Sequence, residues 1–299
     1  MPELPEVETV RRGLAPTLES GRILRVELRR ADLRFPFPDG FAAQLEGATI
    51  TSLARRAKYL QADTDRGDVL VMHLGMSGSF RVLEGAEETV APFHGAVGRK
   101  PKHDHVVLHI QADKGQGARA RVVYNDPRRF GFMDLIKRSE LEAHPYFVQM
   151  GVEPLGNALD GALLQELFAG RKTPLKAALL NQRFIAGLGN IYVCEALWRA
   201  GLSPFASANS ICGDSTAAQI TRNSLARHIK EVLQEAVAAG GSTLKDHAST
   251  DGSLGYFQHR FAVYGREGDP CLAKNCKDKI NREVQSGRST FFCPSCQPR

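Results

Sequence analysis

Apolar residues recur along this chain with two different periods, and the change from one to the other divides it. Leu4, Val7 and Leu14 stand among polar residues, with Pro5 tolerated in a first turn, and predict a short helix over residues 3–14. After Gly21 the apolar positions come in short β-rich runs: Ile23 to Leu28, Tyr59 to Ala62, Val69 to Leu74, Val106 to Ile110 and Ala120 to Tyr124. Gly, Asp and Lys separate them, and no helix-length apolar pattern intervenes. An antiparallel β-sandwich or flattened barrel is therefore expected rather than a parallel α/β sheet. The stretch 84–102, rich in Gly, Glu and Ala, reads as a long exposed loop.

Near Gly151-Val152-Glu153-Pro154-Leu155-Gly156-Asn157 the strands stop and the spacing becomes helical. Leu163, Leu164, Leu167 and Phe168 recur at helical intervals, as do Leu175, Leu179 and Leu180, and again Ile191, Ala196 and Leu197. A longer helix is expected from Ser215 to about Ala239, with Ile220, Leu225, Ile229, Val232, Leu233 and Val237 on its buried side and Gly240-Gly241 ending it. A loop over 242–260 follows, then a compact Cys-rich tail. The pattern predicts a multidomain α+β protein: residues 1–150 a β-sandwich with flanking helices, 151–262 a helical domain, and 263–299 the tail.

With 299 residues and 42% apolar content, the chain has length and core enough for more than one domain. No run approaches the ~20 apolar residues of a membrane span. The start shows no basic region leading into an apolar one, so an intracellular protein is expected. Lys and Arg exceed Asp and Glu by 39 to 33, which favours a polyanionic partner only modestly.

Of six Cys, four fall in the tail. Cys271 and Cys276 enclose four residues, Cys293 and Cys296 enclose two, and residues 277–292 separate the pairs. Two close pairs at this distance are what a tetrahedral thiolate site requires, so one structural Zn²⁺ is expected; disulfides are the weaker alternative in a reducing compartment. Between the pairs, Ile280 to Val284 and Ser289 to Phe292 can form a β-hairpin. With so little apolar core in the tail, Zn²⁺ would supply much of its folding free energy. No open coordination position is evident, so the metal is read as structural, and no organic cofactor is expected: Gly187-Leu188-Gly189 follows no β-strand and has no acidic partner for a dinucleotide.

The start, Met1-Pro2-Glu3, carries candidate chemistry. Removal of Met1 exposes a secondary amine beside a carboxylate. An α-amine titrates near pH ~8, so a useful fraction is neutral and nucleophilic at physiological pH. Its attack on an aldehyde-level carbon gives an iminium that stays cationic without a proton and draws electrons from neighbouring bonds.

In its motifs the chain resembles the bacterial formamidopyrimidine-DNA glycosylase family. The matching pieces are Pro2-Glu3-Leu4-Pro5-Glu6-Val7-Glu8-Thr9-Val10-Arg11-Arg12-Gly13, Arg55-Arg56-Ala57-Lys58-Tyr59 and His73-Leu74-Gly75-Met76-Ser77-Gly78. Lys102-His103-Asp104-His105, Asp126-Pro127-Arg128-Arg129-Phe130-Gly131, Gly187-Leu188-Gly189-Asn190-Ile191-Tyr192 and the four-Cys tail complete them in the family's order. The resemblance implies an N-terminal β-sandwich, a helix–two-turn–helix module and a C-terminal zinc hairpin, with DNA in the cleft between the lobes.

It also implies excision of oxidised purines, chiefly 8-oxoguanine and formamidopyrimidines, followed by strand cutting at the abasic site. Carried onto this chain, Pro2 attacks C1′, Glu3 transfers a proton at the sugar, and Lys58 and Arg288 serve phosphates that leave by β,δ-elimination. Glu6 helps place the chain start, and Glu8 reads equally well as surface charge. A base flipped from the duplex leaves a gap. Met76 and Phe130 on their turns fit as wedges, with Arg128 reading the orphaned cytosine. His73, His103, Arg171, Lys172 and Asn190 are expected along the DNA backbone, although His73 fits a core histidine as well. Ser249, Thr250, Gly255 and Tyr256 fall where the family keeps its lesion-binding loop. The implied partner is double-stranded DNA with an oxidised purine or abasic site. The implied setting is the bacterial cytoplasm at the nucleoid, as a monomer and away from membranes.

Three features depart from the family pattern: Leu254 stands before Gly-Tyr-Phe where proline is common, the first Cys pair encloses four residues, and the 84–102 stretch is long. Among alternatives, the sister glycosylase for oxidised pyrimidines has Gly where Leu4 stands and lacks Arg128-Arg129-Phe130. A damage-sensing or architectural DNA-binding protein needs no joint occurrence of Pro2, Glu3 and Lys58, and the intercalating turns disfavour a zinc-tailed RNA-binding protein.

Overall fold

The computed structural model describes residues 2–84, 100–112, 119–242 and 256–299, which form two compact units. The expected loop over 84–102 lies, for residues 85–99, outside the described residues. The first unit takes residues up to Val148 together with the segment Ala239–Tyr256, and the second takes Gln149–Ala238 and Phe257–Arg299.

The first unit opens on helix α1 (Leu4–Leu18), longer than the pattern predicted, because Thr17 and Leu18 beyond Pro16 are still buried. β1 (Arg22–Leu28), the short α2 (Phe41–Leu45), β2 (Ile50–Arg56), β3 (Tyr59–Thr64), β4 (Asp68–His73) and β5 (Ser79–Glu84) follow, then β6 (Asp104–Gln111), β7 (Arg119–Asn125) and β8 (Phe132–Lys137). They make two antiparallel four-stranded sheets, in the orders β1-β6-β7-β5 and β2-β3-β4-β8. Alternate residues of both sheets meet in one core, Leu60, Leu70 and Met72 from one and Val106, Leu108, Ile110 and Val122 from the other. Val7, Val10 and Leu14 join it from α1, so this core anchors the chain start. β4 reads as an unbroken apolar run because its other face is covered too, with Val69 and Val71 packed with Ile136, Leu141 and Tyr59.

The pattern missed β2, β5 and β8. In β2 the register shifts between Ile50 and Ser52, so its buried Ile50 and Leu53 do not alternate with period two. Residues 239–242 and Tyr256, which the sequence groups with the helical domain, belong to the sandwich unit, where Ser242 is held by Glu6 of α1.

The second unit contains α3 (Gly161–Phe168), α4 (Leu175–Leu179), α5 (Asn190–Arg199), α6 (Thr216–Ala238) and the hairpin of β9 (Asn281–Gln285) with β10 (Arg288–Phe292). Leu225, Ile229, Val232, Leu233 and Ala236 form the buried stripe of α6. Ile220, expected on that side, is exposed. It lies five residues before Leu225, which at about 100° per residue turns it well off the stripe. Among the described residues no helix is long and apolar enough to cross a membrane.

Candidate active site and metal centre

Pro2 and Glu3 are buried at the head of α1, with Glu3 as its N-cap. The Glu6 carboxylate accepts from the Glu3 N–H at 2.8 Å, one half of a capping box. Its other oxygen accepts from the Ser242 N–H (2.9 Å) and hydroxyl (3.0 Å). Gly241 makes this approach possible: it has φ +78, and a Cβ there would lie 3.2 Å from Glu6 Oε1. The Ser242–Tyr256 bridge and the Tyr256 N–H to Ala239 carbonyl bond close the base of the segment between them. Ser249, Thr250 and Gly255 lie outside the described residues, and Tyr256 is exposed. One buried carboxylate thus holds both the chain start and the segment that leads to the expected lesion loop.

Lys58 is buried in the two-residue turn between β2 and β3, where Ala57 takes a left-handed φ of 52. Arg55 braces the turn by donating to the Ala57 carbonyl at 3.0 Å while reaching Glu8 at 3.2 Å. Glu8 also takes hydrogen bonds from Arg11 and Arg12. Burial alone would raise its pKa, but these guanidinium bonds hold the carboxyl below its usual range. Surface charge therefore does not describe Glu8, which ties α1 to the turn carrying Lys58.

His73 pairs with Tyr59 across β3 and β4 and stacks on Phe132. Burial, then the positive charges of Lys58 and Arg34, lower its pKa to about 4. Its Nδ1 accepts from the Gly75 N–H at 3.1 Å, so in the neutral ring Nε2 carries the proton. Any phosphate contact it makes is a neutral hydrogen bond. The unfolded chain protonates His73 near pH 6.5 and the folded one near 4, so its contribution to stability is complete above 6.5 and falls away toward pH 4. Across that window His73→Gln is expected to flatten the acid loss of stability by up to about 3 kcal/mol in urea titrations. An unchanged slope would refute the assignment.

The β4–β5 connection, Leu74-Gly75-Met76-Ser77-Gly78, and the turn Asp126 to Gly131 pack back to back. Gly75 has φ +62, and a Cβ on it would lie 2.3 Å from the Gly131 nitrogen. Met76 is half-buried at the first turn, while Arg128 and Phe130 are exposed at the second, the guanidinium 5.6 Å from the ring centre. His103 is half-buried at the entry to β6. Its neighbour His105 is buried with Nε2 2.9 Å from the Asp126 carbonyl.

In the second unit Arg171 and Lys172 are exposed, Arg171 lying 4.5 Å over the Phe184 ring. Asn190 opens α5 and is buried. Its Nδ2 donates to the Ser289 carbonyl at 2.9 Å, and its Oδ1 has no partner among the described residues. Lys176, also buried, donates to the same carbonyl (3.1 Å) and to Thr290 Oγ1 (2.7 Å). The side chain of Asn190 therefore grips the hairpin beside Arg288. Arg288 itself is exposed and starts β10 after a two-residue turn, Ser286-Gly287, whose residues both have positive φ.

The four tail cysteines converge, with all Sγ atoms within 4.8 Å of one another. The contacts cross between the pairs: Cys271 to Cys296 at 3.8 Å and Cys276 to Cys293 at 3.6 Å. Disulfides need about 2.05 Å, whereas Zn–S bonds of about 2.3 Å give a tetrahedral edge of about 3.8 Å. The donor set fits zinc. Trp198 Nε1 (3.4 Å) and the Ala273 N–H (3.5 Å) point at Cys271 Sγ, as donors to a thiolate should. The tail is fixed to α5 through Glu195, whose wholly buried carboxylate accepts from the backbone N–H groups of Ala262, Val263 and Tyr264 at 2.8–3.0 Å.

Three family models match the chain in the order of these parts. They are the formamidopyrimidine-DNA glycosylase N-terminal domain (residues 1–133), its H2TH domain (150–248), and the zinc finger found in FPG and IleRS (268–299). The chain belongs to the formamidopyrimidine-DNA glycosylase family. The formamidopyrimidine-DNA glycosylase of Chelativorans sp. (strain BNC1) is 59% identical over 298 residues, 99% of this chain and 100% of the relative. Among solved structures, the MutM (Fpg) protein of Thermus thermophilus aligns with a TM-score of 0.80 at 39% identity, over 99% of this chain and 98% of that one. Wild-type Lactococcus lactis Fpg in complex with a DNA containing N7-benzyl-Fapy-dG aligns with a TM-score of 0.82 at 32% identity over the full length of both.

Within this family frame, reading the sequence alone overlooked three side chains that organise the parts. Lys176 and Glu195 sit among apolar residues at helical spacing, and a charged residue on the buried stripe of a helix is itself the signal of an internal partner. Asp126 was visible only as one letter of a motif. Its burial depends on strands far apart in sequence.

Proposed function

We propose that this chain is a bifunctional DNA glycosylase and abasic-site lyase that removes oxidised purines from duplex DNA. The observation that carries this reading is the fixation of the chain start, with Pro2 and Glu3 buried at the head of α1 and held by the Glu6 capping bond. A nucleophile must be delivered to one carbon, and a loose terminus would forfeit most of the benefit of proximity. With Met1 removed, the Pro2 nitrogen attacks C1′ and the C1′–N bond breaks, the base leaving with the electron pair and a proton. Glu3 protonates the ring oxygen, which opens the sugar and leaves a Pro2 iminium at C1′. The C2′ proton becomes acidic, and its loss expels the 3′ phosphate. A second elimination expels the 5′ phosphate, and water then releases Pro2. Lys58, with its turn braced by Arg55 and Glu8, supplies a cation to a leaving phosphate, and Arg288 on the hairpin supplies another.

In this reading residues 1–150 carry the chemistry, 151–262 the helical DNA-binding module and lesion loop, and 263–299 the zinc arm. Met76 and Phe130 fill the gap left by the flipped nucleotide and Arg128 faces the orphaned cytosine. His73, His103, Arg171, Lys172 and the α5 start at Asn190 line the DNA backbone, with Ser249, Thr250, Gly255 and Tyr256 at the extruded base. One zinc ion is held per chain by Cys271, Cys276, Cys293 and Cys296. No role calls for a second copy or an organic cofactor, so the reading is of a monomer acting on DNA at the nucleoid, and bacterial relatives fit a cytoplasmic setting.

Single-turnover base release should be measured on duplexes carrying 8-oxoguanine opposite cytosine, formamidopyrimidine or an oxidised pyrimidine. The two purine lesions are expected to react at least about tenfold faster, within the discrimination that pocket hydrogen bonds supply. Faster release of the pyrimidine would favour the sister activity, and binding without release from any duplex would favour a damage sensor.

A further inference from the structure

We propose that Asp126 is a positioning residue that locks the two wedge turns together, so that Met76 on one and Arg128 and Phe130 on the other enter the duplex as one rigid body. The inference rests on the wedge reading above. Asp126 has no solvent exposure. Oδ1 accepts from the Ser77 hydroxyl at 2.5 Å and from the Arg128 N–H at 3.3 Å, while Oδ2 accepts from the Gly131 N–H at 2.9 Å and the Tyr124 hydroxyl at 3.2 Å. Ser77 closes the ring, since its oxygen also accepts from the Arg128 N–H at 3.2 Å. The backbone of Asp126 is used as well: its N–H donates to the His103 carbonyl, and its own carbonyl accepts from the Arg129 N–H.

One carboxylate therefore touches the residue after Met76, the backbone of Arg128 and the residue after Phe130. Among the described residues no cation pairs with it, and all four of its donors are neutral. A buried carboxylate held by neutral donors is a poor route to stability, because an apolar side chain avoids the desolvation altogether. What four fixed donors do provide is geometry. The packing agrees: a Cβ on Gly131 would lie 1.9 Å from Tyr124 Oη, and one on Gly78 would lie 2.4 Å from it. Neither turn can shift without displacing the other. An inserted side chain must push against the cost of unstacking, and two turns held as one body yield less under that load than two independently mobile ones.

The test uses the full-length zinc-loaded protein and two substrates. One is a duplex with 8-oxoguanine opposite cytosine. The other is a single strand with an abasic site, which needs no wedge. Asp126→Asn replaces one of the two acceptor oxygens with a donor nitrogen, and it is expected to slow base excision from the duplex by about 10- to 100-fold, the scale of lost charge-assisted hydrogen bonds. Lysis of the single strand should stay within about twofold, and fluorescence of 2-aminopurine placed next to the cytosine on the opposite strand should show slowed unstacking. Phe130→Ala should cost less in the Asp126→Asn background than alone, because the wedge is already uncoupled. Ser77→Ala cuts one link between the turns and should show the same pattern in weaker form, which keeps the test decisive if Asp126→Asn fails to fold. Equal losses on both substrates would mark Asp126 as merely structural and overturn the proposal. If Met76→Ala and Phe130→Ala slow the duplex reaction while Asp126→Asn and Ser77→Ala do not, the proposal alone fails. If Met76→Ala and Phe130→Ala leave the duplex reaction unchanged, the wedge reading fails and the proposal falls with it.

Discussion

Borohydride added during reaction with 8-oxoguanine duplex is expected to leave the protein covalently joined to DNA, with the adduct on the nitrogen of Pro2. Only an iminium is reduced to a stable amine under these conditions, so trapping reports the intermediate itself. Mass spectrometry of the trapped peptide places the bond, and an adduct on Lys58 or another lysine, or none at all, would sink the mechanism. The same chemistry makes Met1 decisive. An amide nitrogen at Pro2 has its lone pair delocalised and cannot form the iminium, so a residue retained ahead of Pro2 should depress strand cutting by at least about 10³-fold. Duplex binding should survive, because the expected backbone contacts come from other elements. The capping bond from Glu6 reaches the Glu3 N–H, one residue beyond the nucleophile. It fixes the direction of the chain start without engaging the amine.

Cys276→Ser, or removal of metal by a chelator, is expected to collapse the tail and with it the presentation of Arg288. A competing restraint at the hairpin is the grip of Lys176 and Asn190 on the Ser289 carbonyl. Two such hydrogen bonds contribute about 1–3 kcal/mol each, whereas a structural Zn²⁺ site supplies about 10–16 kcal/mol of apparent binding free energy at pH 7. The metal wins. The variant should lose zinc by elemental analysis, lose part of its thermal transition, and bind damaged duplex at least about 100-fold more weakly, as the loss of a phosphate-facing arm implies. The β-sandwich is expected to keep its β signature, since the residues of its core cluster all fall within its own segment, Val7 to Met133. A metal-free variant that binds and cuts like the parent would remove the zinc arm from the function.

Local pattern carried much of this fold. The helix expected to end near Ala239 spans Thr216–Ala238, because Leu225, Ile229 and Val232 follow the helical period of their own accord. The hairpin expected between the Cys pairs occupies Asn281–Gln285 and Arg288–Phe292. Strand β2 was illegible because a register shift hides its alternation, and β8 because Asp134 interrupts its short apolar run. Neither carries a signal that survives without its partners.

Chemistry divides in the same way. The sequence by itself determined which groups exist: a secondary amine at Pro2 with Glu3 beside it, four thiols at ligand spacing, a methionine and a phenylalanine on Gly-bounded turns. Residue type and short spacing suffice for that, since they are local properties. Only the tertiary structure decided what state and place those groups take. His73 is kept neutral by its burial and by the charges of Lys58 and Arg34, which arrive from other segments. Glu8 became a strut through Arg55, 47 residues away. Glu6 came to hold Ser242, 236 residues along the chain. Asp126 became a junction because β4, β5 and β7 bring Ser77 and Tyr124 to it. Burial and long-range hydrogen bonds are properties of the assembled core, and no window of sequence contains them.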